Sequence, residues 1–245
     1  MVQNIFKGIK AYASALGLIS TLGLWKYFAV PVLISFITAS LIGLSAWSWS
    51  DNIANTIDLL WIWEWGADWF HGFAEILGGI LIIILGLIVY KHIVMALSAP
   101  FMSPVSTAIE QHFLGDKHIH RNTSNTSQLW RGIRINVRNL AMEIFITIPL
   151  LILSLVPVLN IVTTVLLFLV QAYYAGFGNM DYTLERHYGY KESVGFVKRH
   201  KGVAIGNGII FTIMLFIPVI GVLMVLPLSV TAASSQTIRF IQDKK

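Results

Sequence analysis

Three arginines recur at helical spacing in the middle of the chain. Arg131, Arg134 and Arg138 are three and four residues apart, so they line one face of a helix. A basic face beside a membrane segment most often binds anionic lipid headgroups, and an anion-conducting path is the other interpretation. In either case, the chemistry is recognition of negatively charged groups.

Polar side chains within or beside long uncharged stretches form a second candidate group. Such groups are costly when they face lipid, so we expect them to face inwards, where they bond a neighbouring helix or line a hydrated path. These residues are Glu143, Asn160, Gln171, Asn179 and Asn207. The candidates for a path are Arg131, Arg134, Arg138, Glu143, Asn160 and Asn207.

Signatures of catalysis are missing from the sequence. It contains no His-Glu-x-x-His, Gly-x-Ser-x-Gly or Walker motif, and it has no cysteine. His112, His118 and His120 are scattered through a polar stretch without the further ligands that a closed metal site needs. We therefore expect no enzyme, no cofactor and no metal.

The composition is that of a membrane protein. Of the 245 residues, 56% are hydrophobic and 12% are charged, against roughly 25% charged in soluble domains. The net charge is +5, but the basic residues flank apolar runs. We therefore expect the lipid bilayer as a partner and no nucleic acid.

Two apolar runs, residues 27–49 and 70–99, are each long enough for one membrane crossing. The predicted outer loop between them, residues 50–69, has four acidic residues and no Lys or Arg. Basic residues lie before the first span and after the second. This bias predicts that both termini are cytoplasmic.

Two later uncharged runs, residues 144–180 and 202–238, are too long for a single crossing. Each contains a turn signal near its middle, Pro157-Val158-Leu159-Asn160 and Pro218-Val219-Ile220-Gly221, so each run is predicted to form a helical hairpin. The arms are short. The hairpins therefore either penetrate the bilayer part way or cross a thinned bilayer.

The remaining segments complete a single membrane domain, residues 1–245. Residues 4–20 have apolar residues at spacings of three and four, which predicts an amphipathic helix lying in the cytoplasmic interface. Residues 100–143 and 181–201 are predicted cytoplasmic segments. The predicted fold is thus an all-α integral membrane protein with two long transmembrane helices, two proline-turned hairpins and an amphipathic N-terminal helix.

Several short motifs also occur in a characteristic order. They are Gly23-Leu24-Trp25-Lys26-Tyr27-Phe28 with Pro31, Ala99-Pro100-Phe101, and Phe196-x-x-Arg199-His200 leading into Gly202-x-x-x-Gly206-x-Gly208. In this order, over nearly the whole chain, the sequence resembles the CysZ-like sulfate permeases of bacterial membranes.

The resemblance implies a multi-pass, homo-oligomeric permease of the inner membrane that brings sulfate into the cell for cysteine biosynthesis. In that family a glycine followed by paired arginines binds the anion. The motif falls here on Gly23, Leu24, Trp25 and Lys26, where Lys26 keeps the second cation and Trp25 replaces the first. The alternative is a non-transporting structural or assembly protein whose basic cytoplasmic face binds anionic lipid or a partner.

Overall fold

The computed structural model describes residues 1–59, 66–115, 124–154, 156–217 and 220–242, and these ranges contain no β-strand. The helices are α1 (Val2–Thr21), α2 (Ala29–Asp58), α3 (Ala67–Leu97), α4 (Ala99–Leu114), α5 (Asn125–Ser154), α6 (Pro157–His187), α7 (Tyr190–Arg199), α8 (Lys201–Leu215) and α9 (Ile220–Gln242), with a 3₁₀ helix, Leu24–Tyr27, between α1 and α2. Four of them, α2, α3, α5 and α6, are long and apolar enough to cross a membrane. The protein is an all-α, multi-pass membrane protein.

The two longest predicted spans pair as α2 and α3. Helix α2 runs to Asp58, so it occupies the first half of the predicted outer loop, residues 50–69. Helix α2 continues past residue 49 because Ser50 and Ala54 are buried. Gly78 of α3 allows the two helices to approach closely, since a Cβ at that position would lie 3.0 Å from the Ser50 carbonyl oxygen. Residues 60–65, with Glu64 and three of the loop tryptophans, lie outside the described residues.

The two later runs form the helix pairs α5–α6 and α8–α9. The turn is predicted at Pro157 to Asn160, but these residues belong to α6. Pro157 is the first residue of that helix and follows Val156, whose backbone is extended, so the turn precedes Pro157. Proline suits that position, since it lacks the N–H that a first helical residue leaves unbonded. Pro218 lies outside the described residues, and Gly221 belongs to α9 and not to a turn.

The predicted cytoplasmic segment, residues 100–143, contains helices that pack against the rest of the protein. Helix α4 is buried along one side by Met102, Ser106 and Glu110, and it packs against α9, α5 and α6. Helix α5 runs unbroken through residue 143 into the first hairpin. Polar side chains on these helices bond to each other within the protein, so they do not require solvent.

The N-terminal helix lies on the protein, and its predicted apolar stripe is divided between the two sides, because Ile19 of that stripe is buried whereas other members are exposed. Helix α1 packs on α8 and α9 through Gly8, Ala11, Ala15 and Ile19, which are buried. Phe6 and Leu16 of the predicted stripe remain 55% and 51% exposed. The face that contacts protein is thus the small-residue face, which allows the closer helix approach.

Helix α8 is held between α1 and α6 by small residues on both sides. A Cβ atom on Gly206 would clash with the backbone of Ile5 in α1. A Cβ atom on Gly208 would clash with the carbonyl group of Ala172 in α6. The spacing Gly202-x-x-x-Gly206 therefore faces α1, and Ala204-x-x-x-Gly208 faces Ala172-x-x-x-Gly176 of α6. Small residues at these positions allow backbones to approach closely.

An ion pair between Lys91 and Glu143 sets the relative depth of α3 and α5. From Lys91, α3 continues 24 residues back to Ala67, which is ~36 Å at 1.5 Å per residue. From Glu143, α5 continues only 11 residues to Ser154, or ~17 Å. The part of α5 that follows Glu143 is therefore ~20 Å shorter than the part of α3 that precedes Lys91.

Candidate functional site

The segment Gly23 to Lys26 forms the sharp connection between α1 and α2. Gly23 has φ +62°, a left-handed conformation that favours glycine, and it caps the 3₁₀ helix. Leu24 is buried in the core, so it anchors the segment and its side chain offers no polar contact. Trp25 is 47% exposed, and its Nε1 donates to Ser20 Oγ at 3.3 Å. Lys26 is exposed and lies over the Tyr27 ring at 5.2 Å.

Arg131 is bound on both sides of its guanidinium by protein groups. Its Nε and Nη2 donate to the two carboxylate oxygens of Asp181 at 3.0 and 2.9 Å. Its Nη1 donates to the Tyr188 carbonyl at 3.0 Å, and Nη2 also donates to Ser193 Oγ at 2.8 Å. Arg131 therefore fastens α5 to α6 and α7.

The other two arginines of the cluster contact aromatic rings. The Arg134 guanidinium lies 4.1 Å from the centre of the Tyr190 ring, and that of Arg138 lies 5.3 Å from the centre of the Phe177 ring. All three arginines thus face α6 and α7 from one side of α5, as their spacing predicted. Of these three arginines, Arg134 is exposed, and Arg131 and Arg138 are partly buried.

Glu143 is the centre of a buried charged cluster that connects α3 with α5. Lys91 Nζ donates to its Oε1 at 2.6 Å, and His92 Nε2 lies 2.9 Å from its Oε2. The three side chains are at most 3% exposed. Lys91 also approaches the Gln171 carbonyl at 3.4 Å, and His92 Nδ1 approaches Asn136 Oδ1 at 3.4 Å.

Two clefts flank this charged cluster. One, of about 200 Å³, is lined by Lys91, Gln171, Thr212 and apolar residues of α3 and α8. The Thr212 hydroxyl is buried and has no hydrogen-bond partner among the described residues. The other cleft, of about 220 Å³, is lined by His92 and Asn136 with apolar side chains of α3 and α5. The Glu143 carboxylate thus contacts Lys91, which lines the first cleft, and His92, which lines the second.

Lys91 and His92 are not predicted as site residues by the sequence alone, because at the inner end of the second span they also fit the cytoplasmic basic bias. A usable signal was present. Lys91 ends one apolar run, and Glu143 immediately precedes another. Opposite charges at matching ends of two membrane segments lie at one depth, where each lowers the cost of burying the other.

The two candidate asparagines have different surroundings. Asn207 is buried, accepts from Asn179 Nδ2 at 2.9 Å and donates to the Ser229 carbonyl at 3.0 Å. It therefore joins α6, α8 and α9, and its bonding groups are occupied. Asn160 is exposed, and its Oδ1 accepts from Thr164 at 3.1 Å. The predicted inward orientation of Asn160 is wrong.

A second buried ionic network, also missed from the sequence, surrounds Glu110 of α4. Arg186 Nε donates to Glu110 Oε2 at 2.8 Å, and His187 Nε2 lies 2.8 Å from Oε1 at an angle outside hydrogen-bond geometry. Burial alone would raise the pKa of Glu110, but the neighbouring His187 and Arg186 outweigh burial, so the pKa lies below its usual value. This network fixes α4 to the end of α6.

The sequence-predicted residues do not converge on one place. Gly23 to Lys26 lie at the α1–α2 connection, the arginines face α6 and α7, Glu143 lies with Lys91, and Asn207 lies within the α8 contacts. His112 is exposed, and His118 and His120 lie outside the described residues. Of these places, the Glu143 cluster combines buried charge with two adjoining clefts.

A search of the curated proteins finds no significant match to this chain. One protein family does match, over residues 11–225, and its description is Sulfate transporter CysZ/Etoposide-induced protein 2.4. The match includes the α1–α2 connection, the Glu143 cluster, the first hairpin and, of the second hairpin, α8 and the start of α9. The chain therefore belongs to the Sulfate transporter CysZ/Etoposide-induced protein 2.4 family.

Proposed function

We propose that the protein is a permease that carries sulfate, or a similar oxyanion, across the inner membrane. Family membership supports a transporter. The observation that carries the proposal is the buried Lys91, which lies between Glu143 and a cleft containing an unpaired hydroxyl. A buried ionisable group within a membrane helix is costly, and such groups mark ion pathways more often than ordinary packing sites.

In the proposed mechanism, Lys91, Thr212 and Gln171 replace part of the anion's hydration shell. Glu143 competes with the anion for the Lys91 ammonium, because both are negatively charged acceptors. A conducting site has to bind strongly enough to admit an ion and weakly enough to release it. When the Lys91 ammonium pairs with Glu143 again, the anion loses its contact with Lys91 and is released.

The exposed pair Trp25 and Lys26 is the proposed oxyanion contact at the membrane edge. Lys26 contributes a positive charge and the Trp25 indole contributes one N–H donor, which now reaches Ser20. Among the other candidates, Arg131 and Asn207 are occupied by protein partners. We therefore assign them to packing, and we keep Glu143 on the pathway.

The proposed orientation has both termini in the cytoplasm. Basic residues occur in α1, α5, α7 and α9, whereas residues 50–69 contain no Lys or Arg. The short reach of α5 beyond Glu143 supports a first hairpin that penetrates only part way. Backbone that turns at membrane depth has to be covered by protein or line water, which supports a homo-oligomer.

The proposed role is sulfate supply for cysteine biosynthesis, as the sequence resemblance implies. The experiment is uptake of labelled sulfate into proteoliposomes that contain the purified protein. We expect Lys26→Ala to reduce uptake several-fold, whereas Lys191→Ala, an exposed lysine on α7, leaves uptake unchanged. Unchanged flux in Lys26→Ala removes the membrane-edge site. Absence of flux in the folded wild type removes the permease and favours a non-transporting assembly protein.

A further inference from the structure

A cleft of about 280 Å³ lies between α1 and α9, and its lining differs from that of the clefts beside Lys91. It is lined by Lys7, Lys10, Ser14, Gln236, Arg239 and Phe240 together with one alanine. A cavity needs only ~10–15 Å³ to admit one water, so this cleft accommodates a larger group.

Among the described residues, the three cations of the cleft have no carboxylate as an ion-pair partner. The ion pairs of the described residues involve none of Lys7, Lys10 and Arg239, and the lining itself contains no acidic residue. Lys7 lies 5.5 Å from the centre of the Phe240 ring, and Arg239 lies 5.4 Å from that of Phe113. Ring contacts orient a cation but leave its net charge in place. The cleft therefore attracts an anion.

Gln236 provides a second, independent indication of a ligand. The residue as a whole is 8% exposed and lines the cleft, and its side chain forms no hydrogen bond to another described residue. Buried polar side chains are bonded in the large majority of cases. The amide of a residue that is nine-tenths buried beside three cations can donate to an oxyanion that the cations attract.

We propose that this cleft binds a tetrahedral oxyanion of the phosphate type, either the phosphate of an anionic phospholipid or a free phosphate ion. Phe6, which precedes Lys7 on α1, is exposed. A basic site beside an exposed apolar residue on an amphipathic helix fits a lipid, whose headgroup and chains would contact the two parts. The site shares no residue with the proposed sulfate pathway and does not depend on it.

The test compares binding of phosphatidylglycerol and phosphatidylcholine to the full chain in detergent by native mass spectrometry. The cleft variant is Lys7→Gln with Lys10→Gln and Arg239→Gln. The matched control is Lys191→Gln with Lys198→Gln and Lys201→Gln, which removes the same charge from exposed positions elsewhere. A further variant, Gln236→Leu, keeps all three cations and removes the buried amide.

We expect the cleft variant to bind phosphatidylglycerol about a hundredfold more weakly, since each basic residue near a headgroup contributes ~1 kcal/mol. Gln236→Leu should weaken binding about tenfold, and the control triple should change it little. Thermal unfolding of each variant checks that the chain remains folded.

Titration with inorganic phosphate distinguishes the two sources of the oxyanion. If the wild type prefers phosphatidylglycerol to phosphatidylcholine and the cleft variant loses this preference, the ligand is the lipid headgroup. Phosphate binding that is lost in the cleft variant, without any lipid preference, identifies the free ion. The proposal is overturned if the control triple weakens binding as much as the cleft variant, or if neither cleft variant alters binding of lipid or phosphate.

Discussion

Lys91 and Glu143 are 52 positions apart in the chain and form a buried ion pair of 2.6 Å between α3 and α5. Removing Glu143 leaves the buried Lys91 charge unpaired, and removing Lys91 leaves Glu143 with His92 alone, whereas removing both leaves neither charge. Single and double substitutions therefore separate the contribution of this pair to stability from its proposed role in transport.

Lys91→Met and Glu143→Leu should each destabilise the fold by roughly 3–5 kcal/mol, while the double variant should be close to the wild type in stability. Thermal unfolding in detergent measures this difference. In proteoliposomes, the double variant should remain folded yet lose sulfate uptake. A stable double variant with full uptake would limit the pair to a packing role.

Arg131→Lys should lower stability by about 1.5–3 kcal/mol, because lysine cannot reproduce the fork that binds both oxygens of Asp181 and also Ser193. Arg134→Lys is the matched control on the same helix face, since Arg134 is exposed and stacks on Tyr190. Its substitution should cost only about 0.5–1 kcal/mol. Equal losses in the two variants would contradict the assigned difference.

Glu110 should make the fold sensitive to acid. Because the pKa of Glu110 is lower in the folded protein than in the unfolded chain, where Glu titrates near ~4.3, its stabilising contribution is complete above that pH. The contribution is lost as the pH falls through the lower, folded-state pKa. Unfolding temperatures measured between about pH 6 and about pH 3 should therefore decrease less in Glu110→Gln than in the wild type.

Gly208→Ala should disrupt the contact between α6 and α8, because the new methyl group would meet the Ala172 carbonyl. We expect a loss of about 1–3 kcal/mol, as in other overpacked contacts. Gly17→Ala is the control: no neighbouring atom lies within 4 Å of its added Cβ. It should instead stabilise α1 by roughly 0.5–1 kcal/mol. Thermal unfolding of both variants tests the contrast.

Trp25→Arg should increase sulfate affinity if Gly23 to Lys26 form the proposed membrane-edge site. The guanidinium offers several donors to an oxyanion, whereas the indole offers one. Uptake in proteoliposomes should show a KM reduced several-fold. Trp130→Arg, which adds the same charge at another exposed tryptophan, should leave KM unchanged. An equal effect of both substitutions would indicate general electrostatic attraction.

The structure alters the interpretation of several predicted elements for local reasons. Pro157 does indicate a helix boundary, but proline suits the first residue of a helix, so the turn precedes it. Helix α1 is amphipathic as predicted, yet its small residues contact the protein and Phe6 and Leu16 face outwards. Periodicity indicated that α1 has distinct faces, and packing decided which face is buried.

The sequence alone determined the class of protein and the position of its long apolar segments, because burial in lipid requires long uncharged runs irrespective of how the helices pack. It also identified Glu143 as a residue that would avoid lipid. Only the tertiary structure decided that Lys91 is its partner, that Arg131 is occupied by Asp181, and that Asn160 is exposed. Hydropathy acts on each segment separately, whereas ion pairing depends on the depth and rotation of two helices that are distant in the chain.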